Sequence, residues 1–582
     1  MSHILGIDLG TTNSCAAIYE NGKEKIIINT EGGRTTPSVV SFSNNEFQVG
    51  EVAKNAALLD PQSAIVSVKR SMGYNKNFEL GGQKLTPQTV SGLILEKIKH
   101  DAEIYLGETI RDAVITVPAY FNDQQRQATI DAGRMAGLNV VRILNEPSAA
   151  ALAYGITTAK GIKNVLVFDF GGGTLDVSIV KVSPSEVSVI STSGINDLGG
   201  DDIDNAIAEN IISDFYLKEK YNLKKDPKAV ARIRKEAEAA KKALTTSSSY
   251  KLSIPYIVNI DGEEKHIEDT FTRERFENII STVLASIDKP IKTAIEDAGL
   301  STDDIDEVLL VGGSTRIPFV QKKIKDIIGL EPKKLINPDE AVAIGAAIQA
   351  NIIAGNTEIR FSDITSLSLS VRTASDLVKV LIPRNTKIPV KKTHTFQTSY
   401  DNQSDVIIEV FQGERKFYYD NKKIGHFILD GITPAPKGCT SIDVTFSVDE
   451  NGVLSVSASE TTSGKTNEIT VTDYLKLSEK EIEEAIRIAE YFKTQDSDKK
   501  TIVIEKKNCE YIISLLDELE NSSLDFTTDE LEKFDDYRAR EEEFLHDENV
   551  SLEDVETIVK DNLVIKAFIF DLQKRLIDSE SE

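Results

Sequence analysis

The sequence predicts a multidomain protein: an α/β domain first, an antiparallel β domain next, and a helical segment last. Three observations predict this. Up to about residue 355, short apolar runs alternate with segments of helical periodicity. From residue 366 the runs shorten and alternate strictly, with turn signals between them. From residue 478 the apolar spacing becomes helical. A length of 582 residues allows several domains, at roughly 100–200 residues each.

In the first segment, residues 1–355, strand candidates are Ile4–Asp8, 113–117, 164–170 and Glu307–Val311, with helical stretches at 88–106 and 123–136. That alternation reads as helices packed on a mixed sheet. Residues 356–365 read as a linker. Their NTEIRFSD stretch is polar and non-periodic. The antiparallel β domain spans 366–475, with runs at 406–412 and 442–448 and the turn signals DNQS, DNKK and ENG. Residues 476–582 read as helical. Ser478 and Glu481 form a capping box, and Ile482, Ala485, Ile486 and Ala489 share one face. Residues 541–582 hold thirteen Asp or Glu against four Lys or Arg, the pattern of a solvated helical surface. No internal repeat is visible.

Composition narrows the function classes. With 40% apolar and 27% charged residues, sizeable cores can form. A net charge of −26 argues against a nucleic-acid or anionic-membrane binder, which would need a basic face. Cys15, Cys439 and Cys509 lie far apart without metal-ligand spacing, which fits a reducing compartment. The start, MSHILGIDLG, lacks a basic leader and an apolar signal core, and no long apolar span follows. A cytoplasmic location is expected.

Three glycine-bearing turns each follow an apolar strand: Asp8-Leu9-Gly10-Thr11-Thr12, Asp169 to Asp176 (DFGGGTLD), and Gly312-Gly313-Ser314-Thr315-Arg316. Glycine lets backbone approach a phosphate and turn sharply, and exposed N–H groups then cradle the anion. The hydroxyls of Thr11, Thr12 and Thr174 add donors. Asp8, Asp169 and Asp176 suit the outer shell of a hydrated Mg²⁺. One such turn beside an Asp is usually only a turn. Three in one α/β domain point to phosphate. This is neither a Walker A loop nor a Rossmann fingerprint.

These turns resemble the phosphate and adenosine loops of the actin-like, ribonuclease-H-like ATPase superfamily. More narrowly, the chain resembles the heat-shock protein 70 family, nearest its bacterial DnaK branch. The stretches that carry the resemblance are GIDLGTTNS (6–14), AVITVPAYFNDQQRQAT (113–129), NEPSAAALAYG (145–155), VFDFGGGTLDVS (167–178), LVGGSTRIP (310–318), NPDEAVAIGAA (337–347), DNQSDVIIEVFQGER (401–415) and LDGITPAPKG (429–438). It covers residues 4 to about 490.

The resemblance implies an ATPase domain, a β-sandwich that clamps extended apolar peptides, and a helical lid. It implies ATP or ADP, Mg²⁺ and K⁺ as cofactors. Lys69 matches the family's catalytic lysine. Asp169 matches the carboxylate that assists the attacking water, Glu146, Asp8 and Asp176 the metal and water shell, and Thr174 the hydroxyl near the γ-phosphate. Gly10, Thr11, Thr12, Gly171, Gly172, Gly173, Gly199 and Gly200 fall on the phosphate side. Glu238, Lys241, Lys242, Thr245, Gly312, Gly313, Ser314, Arg316 and Asp339 fall on the adenosine side. Without the resemblance, Lys69 reads as a surface lysine, and the four helical residues as one polar face. Pro118 and Arg126 match a switch that reports nucleotide state. Val371, Phe396, Val406, Ile408 and Ile442 match the peptide pocket by position, although alternating apolar residues in a β domain are usually core. The implied partners are unfolded polypeptides, a J-domain co-chaperone and a GrpE-type nucleotide exchange factor. The implied functional unit is a monomer.

The sequence also departs from the family. The apolar linker run is Ile359-Arg360-Phe361-Ser362 before Asp363, which predicts weaker docking through lost burial and a charge to desolvate. Ser366 stands for Pro, Ser370 for Gly, and Ser375-Asp376 for Gly-Gly. Ala374 and Ser399 form a small arch pair, and Lys437 replaces an Arg at the latch. The lid is short, without an acidic EEVD-type tail. An insertion between Arg70 and Gly82, found in many Gram-negative relatives, is absent. A divergent or second copy with weaker interdomain coupling is the expectation. A sugar-type kinase or an actin-like filament protein on the same fold would leave the β domain unexplained. A passive holdase with an inert ATPase remains open because of the linker.

Overall fold

The computed structural model describes the chain except residues 1–2, 44–45, 159–160, 334–336, 358, 374, 451, 471–492, 521, 523, 548–549 and 581–582. The capping box at Ser478, its helical face, and Ala374 of the arch pair therefore lie outside the described residues. The chain divides into two units. The first comprises 1–370, 380–412 and 423–483, and the second 371–379, 413–422 and 484–582.

Two six-stranded sheets organise the first unit. In one, Asn139–Asn145, Asp112–Val117 and Ile4–Asp8 run parallel, and Asn13–Glu20 and Lys23–Ile26 add antiparallel strands. In the other, Glu307–Val311 runs parallel to Lys163–Phe170, followed by antiparallel Leu175–Val182 and Glu186–Ile195. Both sheets therefore follow one plan: a parallel strand beside an antiparallel meander. The tight connection after the meander's first strand is a glycine turn in each. The plan repeats although the sequence does not.

Two helices rich in small residues lie against these sheets: Glu146–Thr158 and Ala341–Ile353. Their alanines explain the NEPSAAALAYG and NPDEAVAIGAA stretches. A side chain at Gly345 would meet the Ala149 carbonyl oxygen at 1.8 Å, and one at Gly6 the Ala347 nitrogen at 2.2 Å. Only small residues permit so close a crossing, and the buried core here is Ala, Val and Ile. Helices Pro87–Leu106 and Asp123–Met135 pack against the first sheet, which places 88–106 and 123–136 as the periodicity predicts.

The β domain holds two four-stranded sheets. One orders Val378–Ile382, Leu369–Arg372, Asp405–Gln412 and Lys422–Asp430. The other orders Val390–Gln397, Ser441–Val448, Leu454–Glu460 and Thr466–Thr470. The alternation of Ser441–Val448 is kept without interruption, every second residue being buried.

One sequence expectation is corrected. The polar linker is not an irregular connection, because Arg360–Ile364 is a strand. It pairs parallel with Glu186–Ile195 and antiparallel with Lys387–Ile388. Backbone hydrogen bonds form whatever the side chains. The strand turns Arg360 to solvent, while Phe361 packs on the core below. The Ser362 hydroxyl meets Ser188 Oγ at 2.9 Å. Arg360 therefore carries no desolvation penalty, which removes the charge part of the argument for weakened docking and leaves the lost burial.

In the second unit, helices Lys493–Glu520, Thr528–His546 and Leu552–Glu580 pack around two apolar clusters. Between the clusters sit Cys509, Glu541 and Asn562, all buried. The Cys509 thiol lies against both Glu541 and Asn562, and apart from it neither side chain has a hydrogen-bond partner among the described residues. Burial pushes Glu541 above the ordinary carboxylate range, Asp561 and Glu505 push the same way, and the Cys509 thiol and Lys566 oppose them. A raised folded-state value makes the native bundle bind more protons than the unfolded chain. Its contribution is full below the unfolded value and is lost as pH rises through the folded one. The bundle is therefore expected to resist unfolding better at pH 5 than at pH 8, and Glu541→Gln to remove most of that difference. Urea unfolding followed by hydrogen exchange in 528–546 measures it. Glu541→Leu is expected to add about 1–3 kcal/mol at pH 8 by removing a buried carboxylate whose one partner is the Cys509 thiol.

The Ser375-Asp376 departure also acquires a reason. Asp376 has φ +59°, the left-handed region that glycine favours. Its carboxylate accepts from Arg372 at 2.9 Å, which offsets part of the backbone cost.

Candidate functional site

The glycine turns that are distant in sequence meet in space. A side chain at Gly172 would strike Thr12 Oγ1 at 2.0 Å, and one at Gly173 would strike Thr11 Oγ1 at 2.8 Å. One at Gly199 would meet Gly172 backbone at 2.3 Å. Gly200 and Asp201 donate their backbone N–H groups to Gly171 and Gly172 carbonyls, both at 2.9 Å. Gly312, at φ +80°, brings the third turn against Phe170, and Ser314 Oγ donates to the Gly171 carbonyl at 2.8 Å. Gly171 itself faces open space. Gly10, Thr11, Thr12, Gly171 to Thr174, Gly199, Gly200 and Gly312 to Ser314 thus line one cradle.

Below it lies a buried charge cluster. Lys69, in a short 3₁₀ turn, is buried and ion-paired with Glu146, the first residue of its helix. Asp8 ends its strand and accepts from Thr116 Oγ1 at 3.4 Å. Asp169 and Asp176 are direct cross-strand partners. Like charges directly opposite destabilise a sheet. Burial, then the Glu146 charge, raises Asp8 to about 7 and Asp176 to about 8, and burial raises Asp169 well above its ordinary value. Both Asp176 oxygens are buried, with the Lys69 charge and the backbone N–H groups of Ala119 and Tyr120 favouring ionisation, and Thr12 Oγ1 is buried without a hydrogen-bond partner. Such a set fits a cation. Among the described residues, no three acidic, His or Cys side chains are arranged to hold a metal directly. Asp8, Asp169 and Asp176 are the residues that would hold a hydrated Mg²⁺ here.

Of the remaining predicted residues, Lys241 and Asp339 reach the cradle. Lys241 reaches the Gly200 carbonyl at 3.2 Å and Asp204 at 2.7 Å. Glu238 and Lys242 pair along the same helix, Pro227–Ala243, and Thr245 Oγ1 closes its end on the Lys242 carbonyl. Arg316 pairs with Asp339 at 2.7 Å, beside Gly313. Sequence reasoning missed two clamps. Arg70 bonds Asp202 at 2.5 Å and the Gly173 carbonyl at 3.2 Å, tying the 3₁₀ turn to the second phosphate turn. Arg34 holds Glu340 through two bonds, 2.6 and 2.8 Å. The basic neighbour of Lys69 and the Asp pair after Gly200 were the available signals for the first. The second had none.

Arg126 joins the site to the linker strand. Its guanidinium donates to the carbonyls of Phe121 and Ala119, the latter next to Pro118, and to Asn145 Oδ1 at 2.6 Å. Asn145 Nδ2 then donates to Asp363 at 2.9 Å, and Ser148 adds a 3.2 Å bond. Asn145 immediately precedes Glu146. Ser366 Oγ donates to the Ala119 carbonyl at 2.5 Å, and Arg384 bonds Asp297 at 2.7 Å. Ser366 and Ser362, two of the departures from the family pattern, thus each make a contact across to the α/β domain.

In the β domain, Phe396 lies opposite Ile442 in register, and Val406 and Ile408 share a strand. Ile408, Ile442 and Val371 are buried, whereas Phe396 and Val406 are half-buried. Ile408, Ile442 and Val371 therefore have the burial of core residues.

No helix among the described residues is long and apolar enough to cross a membrane. In a comparison with known protein families, the chain matches the Hsp70 protein family over residues 4–80 and 75–576. The glycine cradle, the buried lysine–carboxylate cluster and this match over nearly the whole length lead to one conclusion: the chain belongs to the Hsp70 family of ATP-binding chaperones.

Proposed function

We propose that this chain hydrolyses ATP and uses the nucleotide state to bind and release short apolar segments of unfolded polypeptides. The observation that carries the reading is the unbroken set of contacts from the carboxylate cluster to the linker. Glu146 pairs with Lys69, its neighbour Asn145 binds Asp363, and Arg126 binds Asn145.

The cradle's backbone N–H groups and the Thr11, Thr12 and Thr174 hydroxyls hold the phosphates. Lys69 stabilises charge on the transferring phosphoryl group and holds Glu146 in place. Asp169 accepts a proton from, and orients, the attacking water. Mg²⁺, when bound, neutralises phosphate charge and offsets the repulsion between Asp169 and Asp176. Glu238, Lys241, Lys242, Thr245, Arg316 and Asp339 flank the adenosine. K⁺ assists phosphate binding. Val371, Phe396, Val406, Ile408 and Ile442 contribute to the peptide clamp, and helices 493–580 act as its lid. A J-domain co-chaperone and a GrpE-type exchange factor regulate the cycle.

The test is dissociation of a fluorescent apolar peptide before and after addition of ATP with Mg²⁺ and K⁺. Accelerated release supports the reading. Peptide binding without any response to ATP leaves a passive holdase instead.

A further inference from the structure

The turn that carries Lys69 is anchored from across the α/β domain. It is a single 3₁₀ turn, Val68–Ser71, and Val68 and the following Met72 pack in the core of the first sheet. Its polar side chains reach the other way, to the start of helix Gly200–Glu219. Ile203 and Ile207 of that helix pack in the core of the second sheet. Ser67 Oγ donates to Asp201 Oδ2 at 2.7 Å. Arg70 grips the next residue, Asp202, through two nitrogens, at 2.5 and 3.2 Å. Lys69 thus stands between two anchors, and both end on consecutive aspartates.

The receiving end of these contacts is fixed. Gly200 and Asp201 donate their backbone N–H groups to the second phosphate turn, and Asp202 Oδ2 also accepts from the Gly199 N–H at 2.8 Å. The donating end is strained. Ser67 has φ +51°, in the left-handed region, which a residue other than glycine keeps only where its surroundings enforce it. The bond to Asp201 is one such constraint. A 3₁₀ turn this short has weak hydrogen bonds of its own, so what holds it sets its position.

We propose that Asp201 and Asp202 are positioning residues for Lys69. Through Ser67 and Arg70 they fix the lysine's turn against the second phosphate turn, so that Lys69 is in place only while the two halves of the α/β domain are closed on one another. The consequence for hydrolysis rests on the ATPase reading, whereas the anchoring rests on the contacts alone.

The experiment uses the full chain and two variants. Asp202→Asn keeps an acceptor for Gly199 but weakens the grip on Arg70. Ser67→Gly suits the backbone angle but loses Asp201. Single-turnover hydrolysis at saturating ATP is expected to fall about tenfold in each, since a small displacement of a reacting group can cost up to ~10². In a Lys69→Met background, Asp202→Asn is expected to cost nothing further. A merely structural loss would add to the Lys69 effect, and that result overturns the proposal, as does unchanged hydrolysis in both single variants. Hydrogen exchange at residues 67–72, measured without nucleotide, reads the anchor by itself. Faster exchange there is expected in Asp202→Asn, with exchange at 87–106 unchanged. Unchanged exchange at 67–72 overturns the anchoring. A wild-type chain that does not hydrolyse ATP overturns the ATPase reading, and the exchange result still upholds or overturns the anchor.

Discussion

Replacing Lys69 with Met is expected to lower single-turnover ATP hydrolysis by ~10²–10³, the cost of losing one preorganised charge at a developing phosphoryl transition state. Nucleotide binding is expected to persist, because the cradle is built from Gly10 to Thr12, Gly171 to Thr174 and Gly312 to Ser314, none of which needs the lysine. The same substitution removes the buried cation facing Glu146, Asp8, Asp169 and Asp176. An uncompensated buried charge is costly, typically ~3–5 kcal/mol when one partner of a buried pair is removed. Protonation of a carboxylate, or a bound cation, relieves part of it. The variant's melting temperature is therefore expected to depend more steeply on Mg²⁺ than the wild type's. Unchanged turnover would show that Lys69 serves only to neutralise Glu146. Turnover lost together with binding would show that the cluster itself had collapsed.

Replacing Asp363 with Ala is expected to uncouple peptide release from ATP while leaving basal hydrolysis close to normal. Asp363 is buried, and burial pushes its carboxyl up, while hydrogen bonds from the Ile364 backbone, Asn145 and Ser148, together with the Arg126 charge, hold it down. Without the carboxylate, the Asn145 amide and Ser148 hydroxyl lose their acceptor, and Arg126 loses a nearby countercharge. Coupling free energies between sites are about 1–3 kcal/mol, or ~5–150-fold. The ATP-induced acceleration of release is therefore expected to fall by at least tenfold. Ser366→Ala removes one hydrogen bond to Ala119 and is expected to act in the same direction, but more weakly. Stopped-flow dissociation with and without ATP, beside steady-state turnover, separates the two effects. Full acceleration in the Asp363 variant would place the coupling elsewhere, with the Arg384–Asp297 contact the next candidate.

Much of the fold was legible because its signals are local. Strand Ile4–Asp8, the helices Pro87–Leu106 and Asp123–Met135, and the alternation in Ser441–Val448 each follow from the periodicity of their own residues. The phosphate turns were legible for the same reason, since glycine and threonine after an apolar strand state their chemistry in a few positions. Lys69 was not. Its neighbours in sequence give no hint that Glu146, 77 residues away, makes it a buried cation. The strand within the linker was not legible because a strand held by backbone pairing on both edges needs no apolar pattern of its own. The partners at Ser188 and Ile388 that stabilise it are far along the chain.

The sequence by itself determined the order of the α/β, β and helical segments, the glycine-bearing turns and the family. Each depends on residue type and short-range spacing. The tertiary structure decided which carboxylates confront one another across Asp169 and Asp176, how Arg34 finds Glu340 over a separation of 306 residues, and that Asp363 answers to Asn145. It also decided that Glu541 is sealed with only the Cys509 thiol against it while Leu563 and Phe570 are left outside. The physical reason is the same in each case. Burial and charge environment are set by contacts between distant residues, and those contacts exist only once the chain has folded.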